Sequence, residues 1–190
     1  MDNRSFWNEV AKQGVLLGIV MSASKIFEQS LVIYGGLEYS LWVMLEWLLA
    51  TALFFVILFK ATQKRAALVD SKMGFSFMQG VNYMMLISIF ASVLVACVYY
   101  VYINSFIGYD NYMDAVIAVV VNAAESQPID ASTADMIELL VDQMREQPQP
   151  SIFSVLFSTI FQYAFAALIV GLILAGFISR KPEVFKNENE

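Results

Sequence analysis

Three charged side chains, Lys25, Glu28 and Glu46, stand inside long apolar stretches of this sequence. A charge near the middle of a bilayer costs about 2.5–3.5 kcal/mol on insertion scales, so it faces a partner or water. Lys25 and Glu28 are three residues apart and share one face if the segment is helical. If the chain reverses at Gly35-Gly36, Lys25 also lies level with Glu46. The expectation is a pair between Lys25 and Glu46 with Glu28 close enough to share the charge. The alternative is that Lys25 and Glu28 snorkel separately to the outer interface. A proton or ion relay is the functional extension, and it requires a polar path that continues beyond the cluster.

Other chemistry is narrowed by what is missing. The chain has no histidine, which removes Ser-His-Asp and Cys-His nucleophile pairs and imidazole metal sites. Its one cysteine, Cys97, allows no intrachain disulfide. Carboxylates alone can still serve as acids, bases or magnesium ligands. Asp110-Asn111-x-x-Asp114 offers oxygen ligands, but acids in a first helical turn are explained by the helix dipole. No catalytic residue, metal site or cofactor is assigned.

The elements that must hold the cluster are set by composition. Of 190 residues 59% are hydrophobic and 15% charged, against roughly 45–50% and 25% in a soluble domain. Four stretches reach the roughly 20 apolar residues that cross a bilayer core, at about 13–34, 37–59, 74–106 and 152–179. The expected fold is all-α, an integral membrane four-helix bundle forming a single membrane domain over 1–190. A helical extracytoplasmic insertion is expected over 108–150. Ser22-Ala23-Ser24 has small residues of the signal-cleavage type. Asp2 and Glu9 in the would-be positive region, and apolar sequence past Lys25, favour a retained span.

Charge fixes the expected orientation. Arg4, Lys12, Lys60, Lys64, Arg65, Lys72, Arg180, Lys181 and Lys186 fall on one face if the spans alternate, whereas the opposite face has Arg145 alone. Basic residues stay on the cytoplasmic side of short loops, so both termini are expected in the cytoplasm. The outer segment carries Asp110, Asp114, Glu125, Asp130, Asp135, Glu138, Asp142 and Glu146. The low pI of 4.6 is thus the property of one loop. Tyr34, Tyr39, Trp42, Tyr99, Tyr100, Tyr102, Tyr109 and Tyr112 crowd the span ends, where amphipathic rings anchor at the headgroups.

Within the outer segment, Met113, Val116, Ile117, Val120 and Val121 have amphipathic spacing, with Pro128 as a stop. Ser132-Thr133-Ala134-Asp135 reads as the cap of a second helix whose apolar face is Met136, Ile137, Leu140, Val141 and Met144. The third and fourth stretches, about 50 Å and 42 Å of helix, are expected to project outward and carry this cap. Between Lys60 and Met73 a basic linker is expected.

Small residues recur every four positions: Gly14, Gly18 and Ser22 in the first span, Ser88, Ser92 and Ala96 in the third, and Ala167, Gly171, Ala175 and Ser179 in the fourth. Such stripes let helix backbones approach closely, within one bundle more readily than in a dimer. Gln79, Asn82 and Gln162 are expected to make helix-to-helix hydrogen bonds.

The chain resembles the bacterial membrane family called domain of unknown function 4199 over nearly its whole length. The likeness rests on Gly14 to Gly18, Gly74-Phe75-Ser76-Phe77-x-Gln79-Gly80, Tyr99-Tyr100-x-Tyr102, and Gly171 with Arg180-Lys181. The outer exit Gly108-Tyr109-Asp110-Asn111-Tyr112 lacks the proline the family pattern would have there. The resemblance implies a bacterial inner membrane and no established activity. The leading expectation is a non-catalytic accessory or scaffold protein in the lipid bilayer, engaging a membrane protein partner or a second copy and no nucleic acid. One alternative is a small transporter or channel subunit with Lys25, Glu28 and Glu46 lining a path, marked by a water-accessible cavity at the cluster. The other is a membrane enzyme acting on lipid-linked substrates.

Overall fold

A computed structural model describes residues 3–126 and 130–182. The described chain is mostly helical, with Phe75 and Arg180 forming an isolated antiparallel bridge. The helices are α1 (Asn3–Gly35), α2 (Ser40–Leu68), α3 (Phe77–Val101), α4 (Tyr109–Glu125), α5 (Ala131–Glu146) and α6 (Ile152–Ile178). A 3-10 turn, Gly36–Tyr39, joins α1 to α2, and a π-helical turn, Tyr102–Ile107, continues α3. Pro128 and Lys186 lie outside the described residues.

Three helical runs are long and apolar enough to cross a membrane: Arg4–Leu68, Phe77–Ile107 and Ile152–Ile178. The first holds 65 residues and contains both of the first two expected stretches, because the turn between them is itself helical. It nevertheless folds back on itself. Ser24 bonds Glu46 near the turn, and Arg65 pairs with Glu9 at the far ends. Gly36 makes the reversal with φ +57°, a left-handed conformation open to glycine. At Gly35 a Cβ would run into the Tyr39 ring.

Boundaries differ from expectation at the linker and at the third span. The basic linker is mostly helix, since α2 runs on to Leu68 and only residues 69–76 connect it to α3. Its Lys, Arg and Ala residues are good helix formers, and apolarity alone hid that continuation. The third span opens at Phe77 and not at Gly74. Ser76 accepts from the Gln79 backbone at 3.2 Å while the Gln79 side chain accepts from the Ser76 backbone at 2.8 Å. This capping box gives Gln79 a local duty in place of the expected helix-to-helix bond.

The small-residue stripes show where the helices meet. A Cβ at Gly14 would lie 2.5 Å from Phe90 Cβ, and one at Gly18 would lie 3.1 Å from the Ala91 carbonyl oxygen, so this face of α1 lies on α3. Gly171 lies against Val81 and Ala175 against Gly80, which seats α6 on the other side of α3. Ser22 and Ala167 are buried. α3 is thus the central helix, α1 and α6 pack extensively on it, and α2 leans on α1 with sparse contact to α3 and α6. Bulky residues point the other way: Leu41, Leu45, Leu48, Phe153, Phe157, Phe161 and Phe165 are exposed. Small inside and large outside is the arrangement of helices whose solvent is hydrocarbon.

Between α3 and α6 the chain forms two helices that pack on each other, with α4 also touching α1. The second starts two residues earlier than its anticipated cap, because Asp130 accepts from the Thr133 backbone at 2.7 Å. Gln149 ties the connection before α6 to Asn104 of the π-helical turn at 2.5 Å, and Ser151 caps α6 by accepting from the Ser154 backbone.

Candidate functional site

Because α2 barely meets α6, the bundle leaves a cavity of about 670 Å³ between them, with α1 and α3 as its back wall. Lys25 and Glu28 enter from α1, Glu46 from α2, Tyr99 from α3, and Gln162 and Tyr163 from α6. All three charged residues singled out in the sequence therefore line one chamber. Trp47, Phe54, Phe55, Val95, Ala166 and Val170 supply its apolar surface.

Within the chamber the pairing is a correction to the expected one. The Lys25 ammonium lies 2.9 and 3.0 Å from the two Glu28 oxygens, gripping the carboxylate on both sides. The one-turn spacing that put these residues on one face lets them meet without any help from α2. Lys25 also lies over the Tyr99 ring, 5.9 Å from its centre. Glu46 instead accepts the hydroxyl hydrogen of Ser24 through Oε1. Its other oxygen, Oε2, is buried and has no hydrogen-bond partner among the described residues. The residue as a whole is 8% exposed, whereas the Lys25 and Glu28 side chains are 37% and 23% exposed. Glu46 is the deep member of the cluster, and the ion pair is its accessible rim.

Sequence reasoning missed Ser24, Tyr99 and Tyr163. Ser24 precedes Lys25 and lies level with Glu46 across the Gly-Gly turn, so the depth argument that selected Lys25 applied to it almost as well. Tyr99, expected among the interfacial anchors, lines the chamber. Gln162, expected to bond another helix, contributes to the chamber wall. Tyr163 packs edge-on to Phe54 with ring centres 5.8 Å apart, joining α6 to α2 across the chamber.

A second, smaller cavity of about 260 Å³ lies under the cap, lined by Tyr99, Tyr100, Asn104, Tyr109, Tyr112 and Met144 among others. Tyr99, Pro150 and Val155 border both cavities and form the partition between them. The Tyr99 and Tyr112 hydroxyls are 3.5 Å apart, and the Ser30 and Tyr102 hydroxyls are 2.8 Å apart. Burial, then Tyr112 and Asp110, push the Tyr109 hydroxyl above the usual tyrosine range. Among the described residues no group of three or more Asp, Glu or Cys side chains converges as a metal site, Asp110 and Asp114 included.

At the opposite end of the bundle, the Arg65 guanidinium lies 2.9 Å from Glu9 and stacks over Phe6 at 5.0 Å. Arg180 donates to the Ala66 carbonyl at 2.8 Å and to that of Val69, closing the end of α2 with the chain that follows α6. These contacts strap the ends of the helices together.

No curated protein and no solved structure matches the chain. The profile of one family, described as "Protein of unknown function (DUF4199)", matches residues 12–180, which takes in the hairpin, the chamber, the cap and the Arg180 strap. With most of its length covered, the chain belongs to the DUF4199 family.

Proposed function

We propose that the protein is a multi-pass protein of the bacterial inner membrane, crossing four times with both termini in the cytoplasm. It works as a non-catalytic transporter-type subunit whose chamber admits a small ligand from the outer side. The observation that carries this reading is the cavity at Lys25, Glu28 and Glu46. A protein that served only as a surface scaffold would gain nothing from keeping three charges around an opening in its own bundle, given their cost in lipid. The hairpin in Arg4–Leu68 supports four crossings. At about 1.5 Å per residue the run is far longer than one bilayer, and it doubles back at its middle.

The accessory reading keeps one observation of its own. Met136, Leu139 and Leu140 are exposed on α5, beside an acidic face, in a helix outside the long apolar runs. A partner protein covering that face would turn the cap into its docking element.

The test is cysteine accessibility in a Cys97→Ser background in spheroplasts. Gln162→Cys in the chamber is expected to react with an impermeant thiol reagent added outside, and Ser71→Cys, in the α2–α3 connection, only after permeabilisation. An unreactive Gln162→Cys in the folded protein would overturn the chamber reading. Outside labelling of Ser71→Cys would overturn the orientation.

A further inference from the structure

We propose that the chamber is a binding site for a monovalent organic cation with an apolar tail, its ammonium against Glu46 and its tail lying between α2 and α6. This rests on the chamber reading and names its ligand class.

The chamber holds one lysine and two glutamates, and Lys25 is committed to Glu28 by both carboxylate oxygens. One negative charge is left, on Glu46. Ser24 satisfies one of its oxygens, and the other is buried with no protein partner among the described residues. A buried, unsatisfied carboxylate oxygen is expensive, and one N–H donor carrying a single positive charge would satisfy both the hydrogen bond and the charge.

The remaining lining points to an organic cation in place of a bare metal ion. No set of oxygen ligands surrounds Glu46, and the acids, thiols and imidazoles that assemble a metal site do not converge among the described residues. Aromatic rings of Trp47, Phe54 and Tyr163 border the same space, and ring faces attract alkylammonium groups. Ala166 and Val170 extend the apolar wall along α6, where the sparse α2–α6 contact leaves the bundle easiest to part for a chain arriving from the lipid. An anionic ligand would meet Glu46 with no free cation to offset it, because the lysine of the chamber is already engaged.

The amine could be a lipid headgroup or that of a free amphiphile, and the experiment separates the two. Trp47 is kept as the single tryptophan by Trp7→Phe and Trp42→Phe, and the full chain is placed in phosphatidylglycerol nanodiscs. The probe is dodecylammonium brominated on its tail, a primary ammonium with N–H donors whose bromine quenches a nearby indole. Brominated dodecyl maltoside reports simple partitioning. Saturable quenching by the ammonium probe is expected, with half-saturation raised about tenfold or more in Glu46→Gln and largely kept in Glu46→Asp. Loss of probe quenching on adding phosphatidylethanolamine assigns the site to a lipid amine; persistence assigns it to a free amphiphile. Equal quenching in Glu46→Gln and the parent, or displacement of the probe by an equal concentration of sodium chloride, would overturn the proposal. If Gln162→Cys still reacts from outside in that case, the chamber stands and only its ligand class falls; if it does not react, both fall.

Discussion

Ser24 of α1 donates its hydroxyl hydrogen to Glu46 of α2, while its neighbour Lys25 turns to Glu28 on its own helix. Two adjacent residues therefore divide the work. One holds the hairpin in register, and the other neutralises a charge within a single helical turn. The Ser24–Glu46 link sits on the least packed side of the bundle, where α2 has few other contacts with α3 or α6.

That division makes Ser24→Ala informative. It leaves both oxygens of a 92%-buried residue without a protein donor, which is expected to cost about 1–3 kcal/mol. Glu46→Leu removes the group that needs the donor. In the Glu46→Leu background Ser24→Ala is expected to cost only a few tenths of a kcal/mol, because the coupling between neighbours has gone. Reversible unfolding in mixed micelles gives the cycle. Equal costs in both backgrounds would mean that the hydroxyl does nothing for Glu46.

At the other end of the hairpin the Glu9 and Arg65 side chains are only 16% and 10% exposed. Removing one partner of a buried pair typically costs about 3–5 kcal/mol, whereas replacing both with apolar groups of similar size is far less damaging. Glu9→Ala is therefore expected to lower the unfolding midpoint clearly, and Glu9→Leu with Arg65→Met to recover a large part of that loss. A double variant as unstable as Glu9→Ala would show that the Arg65 contacts with Phe6 matter more than the ion pair.

Much of this architecture can be read from residue type and spacing, since the cost of a charge or of a missing backbone bond in lipid is large and local. The reversal at Gly35-Gly36, the small-residue faces of α1 and α6, and the helical insertion between α3 and α6 follow from such local rules. The chamber does not. It exists because α2 packs poorly on α6, a property of how four side-chain surfaces fit, and no single residue carries it. The ion pair differs from the expected one for a related reason: equal depth across a hairpin says which residues are neighbours, but the shorter Lys25–Glu28 reach within one helix wins. Tyr99 shows the ambiguity of aromatic girdles, where an anchor and a chamber wall have the same side chain at the same height.

The close approach of α1 to α3 and of α6 to α3 depends on absent side chains. Gly14→Ala sets a Cβ 2.5 Å from Phe90 Cβ, in a contact that α1 and α3 can relieve only by moving apart, and is expected to cost about 1–3 kcal/mol. Gly176 has nothing within 4 Å of the same position, so Gly176→Ala is expected to be neutral or to gain up to about 1 kcal/mol of helix propensity. Thermal denaturation of the two variants side by side checks both signs. A harmless Gly14→Ala would mean that the helices are not in backbone contact there.

At the start of α5, the Thr133 hydrogen bonds hold the Asp130 carboxyl below the ordinary aspartate range. A folded-state value below the unfolded one means that the ionised form binds the fold better. Its stabilisation is present above about pH 4, the unfolded value, and is lost as pH falls through the lower folded value. The start of α5 is therefore expected to fray in acid before the apolar helices respond. Amide exchange at Ala131 to Asp135 should rise, relative to its intrinsic rate, as pH falls below about 4. Asp130→Asn still offers an oxygen to the Thr133 N–H but cannot titrate, so it is expected to keep the helix start and abolish that pH dependence. An acid-induced opening unchanged by Asp130→Asn would place the responsible carboxylate elsewhere in the cap.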